Sequence, residues 1–172
     1  MRYLTIAAHP DDETLGCGGS LLKHREAGDQ IYWLIVTKAY EPEWPALELE
    51  RKSEEIHQVA KAYGAEKCFE LGLPTGRLDV VPQGELIDKI RSAISEVKPH
   101  AVYITHEGDV HSDHRAVFSA TMSVLKPFYM AELGVSRVLS YETISSTEAA
   151  PGTSDRAFVP NVFSDITPYT DR

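Results

Sequence analysis

The sequence predicts an α/β fold, a Rossmann-like three-layer α/β/α sandwich built on a mostly parallel sheet. Two observations carry this expectation. Short apolar runs alternate with segments of helical periodicity along the whole chain, and the apolar runs are nearly continuous, as strands buried on both faces tend to be. A length of 172 residues suits a single domain, 1–172, with a real hydrophobic core.

The elements follow in order. RYLTIAA (2–8) reads as the first strand, and a helix over 15–27 follows the turn at His9–Thr14. QIYWLIVT (30–37) is the second strand. Ile56, Val59, Ala60 and Tyr63 recur at helical spacing within 46–63, where Pro45 suits a first helical turn and Gly64 a stop. EKCFE (66–70) is a third strand, and Leu86, Ile90, Ile94 and Val97 mark an amphipathic helix over 84–97 that Pro99 ends. AVYIT (101–105), a helix over 113–126 and SRVLSYE (136–142) complete the pattern, with a weaker sixth strand over 161–166. Between them, 143–160 is small and polar with two prolines and reads as a loop or lid.

The formal charge of −9 argues against nucleic acid or an anionic membrane as the main partner, since both reward a basic face. Cys17 and Cys68 stand far apart without CxxC spacing, so a disulfide framework is not expected and a reducing cytoplasm is the simpler setting. The opening MRYLTIAAHPDDE meets acids too soon for a signal peptide, and no apolar run approaches the ~18 residues of a membrane span. The expectation is a soluble, cytoplasmic protein.

The chemistry concentrates at two strand ends. AHPDDE places His9, Asp11, Asp12 and Glu13 at the βα turn after the first strand, the rim where open α/β sheets bind ligands. The glycines that follow fit neither G-x-G-x-x-G nor a P-loop, and the acids would repel phosphate, so close helix–sheet packing is the better reading of them. One acid is well explained as a helix cap; three in a row beside a histidine are better explained by a divalent cation. The second cluster is HSDH, where His111, Asp113 and His114 open the next helix; two histidines three residues apart share one helical face.

If these two rim segments come from neighbouring strands, His9, Asp12 and His114 form a site of two histidines and one carboxylate. That is the donor set of catalytic zinc, and Asp11 stays free to take a proton from water. The same donors also suit an Fe(II) oxygenase or a non-catalytic metal-binding module, although Asp11 favours hydrolysis over the former. Tyr40, Trp44 and Arg77 are candidate sugar contacts, while His106 and Asp109 flank the second motif without an assigned role.

AHPDDE and HSDH, with the ERKSEE helix start, the GLPTGRLD loop and the DIT near the end, resemble the PIG-L/LmbE-like family of zinc-dependent N-acetylglucosamine-type deacetylases. The resemblance implies Zn²⁺ on His9, Asp12 and His114, with Asp11 as general base. It implies that protonated His111 stabilises the oxyanion or protonates the leaving amine, and that Asp113 orients a histidine. Arg51 matches an arginine placed near the sugar or a phosphate-like substituent. The implied substrate is a small N-acetylated amino sugar or its glycoside, and similar proteins form trimers or hexamers. Members of the family usually continue past DIT into a further helix, whereas this sequence stops at Arg172.

Overall fold

Five of the six apolar runs pair into one sheet. The structure, a computed structural model, describes residues 1–151 and 155–170. Its strands are β1 (Arg2–Ala7), β2 (Gln30–Lys38), β3 (Ala65–Pro74), β4 (Ala101–Thr105) and β5 (Arg137–Tyr141). Its helices are α1 (Asp12–Glu26), α2 (Ala46–Tyr63), α3 (Gln83–Val97), α4 (Ser112–Val124) and the single turn α5 (Pro127–Met130). All pairings are parallel, in the order β3-β2-β1-β4-β5. This is the predicted α/β sandwich, and no helix among the described residues is long and apolar enough to cross a membrane.

Alternation along the strands sends side chains to two cores. Leu4, Ile6, Leu34, Val36, Val102 and Ile104 pack against Leu86, Ile90 and Ile94 of α3 and Val117, Ala120 and Val124 of α4. On the opposite face Ala7, Trp33 and Ile35 meet Ile56, Val59 and Ala60 of α2, while Cys17 and Leu21 of α1 meet Ile31, Tyr63 and Tyr141. Each of the large aliphatics removed from water contributes roughly 1.5–3 kcal/mol. Cys17 is a packing residue, buried with Leu21, Ile31, Tyr63 and Tyr141, and that burial pushes its thiol well above its usual range.

Two boundaries differ from expectation. Helix α1 begins at Asp12 rather than residue 15, because the acids themselves occupy its first turn, where the helix dipole favours negative charge. Segment 161–166 is not a strand. It lies across α1, with Ile166 against Gly19 and the carbonyl of Asp165 accepting from Lys23 Nζ at 3.4 Å. Val162 and Phe163 there remain exposed, so the burial that would hold a strand is missing. The expected lid over 143–160 turns directly back from β5, and its residues 152–154 lie outside those described.

Gly16 does bring helix and sheet together. A Cβ there would sit 2.2 Å from Cδ2 of Tyr141 and 2.9 Å from the carbonyl oxygen of Glu142. Tyr141 is itself held, its hydroxyl donating to the carbonyl of Ile6 at 3.0 Å. Gly16→Val is therefore expected to lower stability by ~1–3 kcal/mol, read as a shift in the urea midpoint; an unchanged midpoint would mean that Tyr141 swings aside at no cost.

The topology decides where the chemistry lies. β1 is central, with β2 on one side and β4 on the other, so the chain reverses direction across the sheet between β1 and β4. The turns leaving these two strands carry AHPDDE and HSDH, and they meet in the crevice such a reversal opens.

Candidate metal centre

The first motif divides its acids among three directions. Asp12 is buried, and its Oδ2 accepts the backbone N–H of His9 at 2.8 Å. Glu13 turns away beneath α1 and accepts from the Thr14 hydroxyl at 2.6 Å, and burial pushes its carboxyl up to about 7. Asp11 stands at the mouth as the N-cap residue of α1, yet its side chain makes no capping hydrogen bond. Burial and the charge of Asp12 raise its pKa, against the lowering influence of His9, Lys52 and His114.

The second motif arrives from β4. Nε2 of His114 lies 3.0 Å from Asp12 Oδ1 and 3.2 Å from Nδ1 of His9, which is in turn 3.6 Å from Asp12 Oδ2. Ligands held tetrahedrally at zinc distances are separated by about 3.3 Å. His114 thus meets Asp12 at Oδ1 and His9 meets it at Oδ2, and the three side chains stand near the spacing one small cation requires. Two imidazole nitrogens facing each other at 3.2 Å need a proton or a cation between them, so the donor set fits a metal.

Each of these two histidines has a carboxylate at its other ring nitrogen, an arrangement that fixes the tautomer of metal-ligating imidazoles. Nε2 of His9 faces Asp113 Oδ2 at 3.0 Å. Nδ1 of His114 lies 3.1 Å from Asp109 Oδ2, off the line of its N–H, a charge contact rather than an aligned hydrogen bond. Burial would favour the neutral rings, but the hydrogen bonds of Asp113 and Asp12 hold His9, and the carboxylates of Asp109 and Asp12 hold His114, up to about 9. Against its own burial, Asp12 is held well below the usual carboxylate range by His114 and His9.

Asp113 also anchors the GLPTGRLD loop. Its Oδ2 accepts from the N–H of Gly76 at 2.6 Å and its Oδ1 from Leu78 at 3.2 Å. Gly76 has φ of +72°, a left-handed conformation that suits glycine, so the loop can aim its amide at this buried acid.

His111 differs from the other two. Its rings lie 4.5 Å from His9 and 5.0 Å from His114, and the three histidines could together hold an ion. But its Nδ1 accepts the N–H of Asp113 at 3.2 Å, capping α4, and among the described residues no carboxylate is bonded to its ring. Burial and the charges of His9 and His114 pull its pKa down, and with Nδ1 accepting from Asp113 the ring presents Nε2–H as a hydrogen-bond donor.

These groups open into a cavity of about 370 Å³, within the ~300–1,000 Å³ common for small-molecule sites. His9, Asp11, Asp12, His111 and His114 form one end. Trp44, Leu49, Lys52 and Ile56 form another wall, with Thr75 from the GLPTGRLD loop and Ser146 from the turn after β5. Arg51 is not among the lining residues. Its side chain is 71% exposed and pairs with Glu55 at 3.3 Å, and the neighbouring Lys52 faces the cleft instead. Arg77 is also exposed outside the cavity, while Tyr40 braces Trp44 edge to face at 5.8 Å. His106 bonds the carbonyl of Arg156 at 2.8 Å, away from the metal donors.

A sequence profile of PIG-L, described as GlcNAc-PI de-N-acetylase, matches residues 4–125, most of the chain and both motifs. The chain belongs to this family. PIG-L membership does not favour the oxygenase alternative. Among curated relatives, YaiS of Escherichia coli K12, named as an uncharacterized deacetylase, is 29% identical over 169 residues, 95% of this chain and 80% of YaiS. A 1D-myo-inositol 2-acetamido-2-deoxy-alpha-D-glucopyranoside deacetylase of Kineococcus radiotolerans is 27% identical over 161 residues, 72% of this chain and 44% of that protein. Two solved structures show the fold alone. N,N'-diacetylchitobiose deacetylase from Pyrococcus horikoshii has a TM-score of 0.66 at 21% identity, covering 83% of this chain and 60% of that one. GalB, a 4-carboxy-2-hydroxymuconate hydratase from Pseudomonas putida KT2440, has a TM-score of 0.69 at 18% identity, covering 99% and 74%. This PIG-L fold is thus shared with a hydratase, and the chemistry has to be argued from the side chains.

Proposed function

We propose that this PIG-L chain is a zinc-dependent hydrolase that removes the acetyl group from a small N-acetylated amino sugar or its glycoside. The observation that carries the reading is a pair of carboxylate-backed histidines beside Asp12, with the carboxyl of Asp11, free of any capping hydrogen bond, lining the same cavity.

His9 through Nδ1, His114 through Nε2 and Asp12 would hold the ion. Bound there, zinc supplies Lewis-acid polarisation and a water acidic enough to attack near neutral pH. Asp11 takes the proton of the attacking water, since its carboxyl is bound to no capping partner and its pKa is raised toward that of a useful base. His111 donates from Nε2 to the oxygen on which negative charge develops. Asp11 then carries the proton that the departing amine needs, so acetate and a free amine leave with atoms balanced.

The apolar wall of Trp44, Leu49 and Ile56 suits the carbon face of a sugar ring. Trp44→Ala is expected to raise KM ~2- to 10-fold with little change in kcat, the loss of one aromatic contact; an equal fall in kcat would place Trp44 in the reaction itself. The reading as a whole is tested by amine release from a panel of acetylated amino sugars and glycosides. Zinc-loaded protein is expected to release amine and acetate in equal amounts, and chelator-stripped protein to release neither. Equal release by both preparations would remove the metal from the reaction.

A further inference from the structure

Asp109 is fully buried between the metal donors and the turn that follows β5. Its Oδ1 accepts the backbone N–H of His111 at 2.7 Å. Its Oδ2 accepts from the hydroxyls of Ser146 at 2.8 Å and Thr147 at 2.6 Å, and the same oxygen stands 3.1 Å from Nδ1 of His114. Thr147 Oγ1 also accepts the N–H of Thr143 at 2.9 Å, so the turn that presents both hydroxyls is closed on itself. A carboxylate in this position has one useful orientation, with an oxygen at the imidazole and its remaining lone pairs satisfied by neutral donors. Without those donors it can rotate away from the ring or draw in water.

We propose that Ser146 and Thr147 are positioning residues for the metal centre: their hydroxyls clamp Asp109 beside Nδ1 of His114, which keeps the lone pair of Nε2 aimed at the ion. The inference rests on the reading of His9, Asp12 and His114 as the metal ligands. It makes the turn after β5 part of the metal site, although none of its residues is among the proposed ligands. Ser146 also lines the cavity, so the clamp lies within reach of whatever occupies the cleft.

The distinguishing readout is metal affinity, which a purely structural role for the hydroxyls would leave unchanged once the chain has folded. Zinc binding is measured on the full chain by competition with a chromophoric chelator, with the melting temperature of the metal-free proteins recorded alongside. The Ser146→Ala/Thr147→Val double variant is expected to bind zinc ~10- to 100-fold more weakly, the range for loss of a partner behind a metal ligand. Thr147→Ser, which keeps the hydroxyl, is expected to stay within about threefold of wild type by the same reasoning. Ser146 is only half-buried and, among the described residues, its hydroxyl bonds Asp109 alone, so Ser146→Ala carries the test if the double variant fails to fold. Wild-type affinity in the double variant, or in Ser146→Ala when only that variant folds, overturns the clamp. Weakening by Thr147→Ser equal to that of the double variant overturns it as well. A wild-type chain that binds no zinc overturns the ligand reading itself, whereas tight wild-type binding with unaffected variants overturns the clamp alone.

Discussion

Asp11→Asn is expected to lower turnover ~10²- to 10⁴-fold while leaving metal content at the wild-type level, the effect of losing a general base. The two readouts separate because Asp11 and Asp12, though adjacent, do different things. Asp12 is buried against His9 and His114, whereas Asp11 projects into the cavity mouth without a capping bond. Asparagine keeps the size and polarity of the side chain and removes only its ability to accept a proton. Single-turnover amine release with metal analysis of the same sample is the check. Turnover near wild type in a metal-replete variant would assign the proton transfer to another group.

His114→Ala is expected to abolish stable metal binding and with it turnover. The ring is almost wholly enclosed, with a carboxylate at each nitrogen. Deleting it removes one of three donors and leaves Asp12 and Asp109 buried with less positive charge between them. A stability loss of several kcal/mol accompanies removal of one partner from a buried charged pair, in the range of ~3–5 kcal/mol. Zinc content and the urea midpoint should therefore fall together in His114→Ala, whereas Asp11→Asn should change neither. Full zinc occupancy in His114→Ala would exclude it as a ligand.

Much of this arrangement is legible in the residues. The strands are short continuous apolar runs because both faces of a parallel sheet are covered, and both motifs, AHPDDE and HSDH, stand where such strands end. The adjacency of β1 and β4, left as a condition by the sequence, is supplied by the strand order β3-β2-β1-β4-β5. Arg51 shows where motif matching and periodicity part company. At about 100° per residue it lies about 140° from Ile56 and about 160° from Leu49 around the helix, opposite the stripe that lines the cleft. The helical spacing of Ile56, Val59 and Ala60 already carried that information.

Other features had no local sign. Asp109 is recognisable only as an acid near a histidine motif; its hydroxyl partners are 37 and 38 residues away and meet it because β5 lies beside β4. Whether His9 is paired with Asp12, Asp113 or both depends on side-chain directions that spacing does not set. The 161–166 segment carries β-branched and aromatic residues, but its partner surface is a helix rather than a sheet edge, and composition does not distinguish the two.

The central claim is that one cation joins the two motifs through His9, Asp12 and His114. Anomalous diffraction at the zinc edge, from crystals of zinc-loaded wild-type protein, tests it most directly. The account predicts a single strong peak about 2.0–2.2 Å from Nδ1 of His9, a carboxylate oxygen of Asp12 and Nε2 of His114, with Asp11 and His111 outside bonding distance. A peak bonded to His111 in place of Asp12, or no peak in the crevice between β1 and β4, would contradict it.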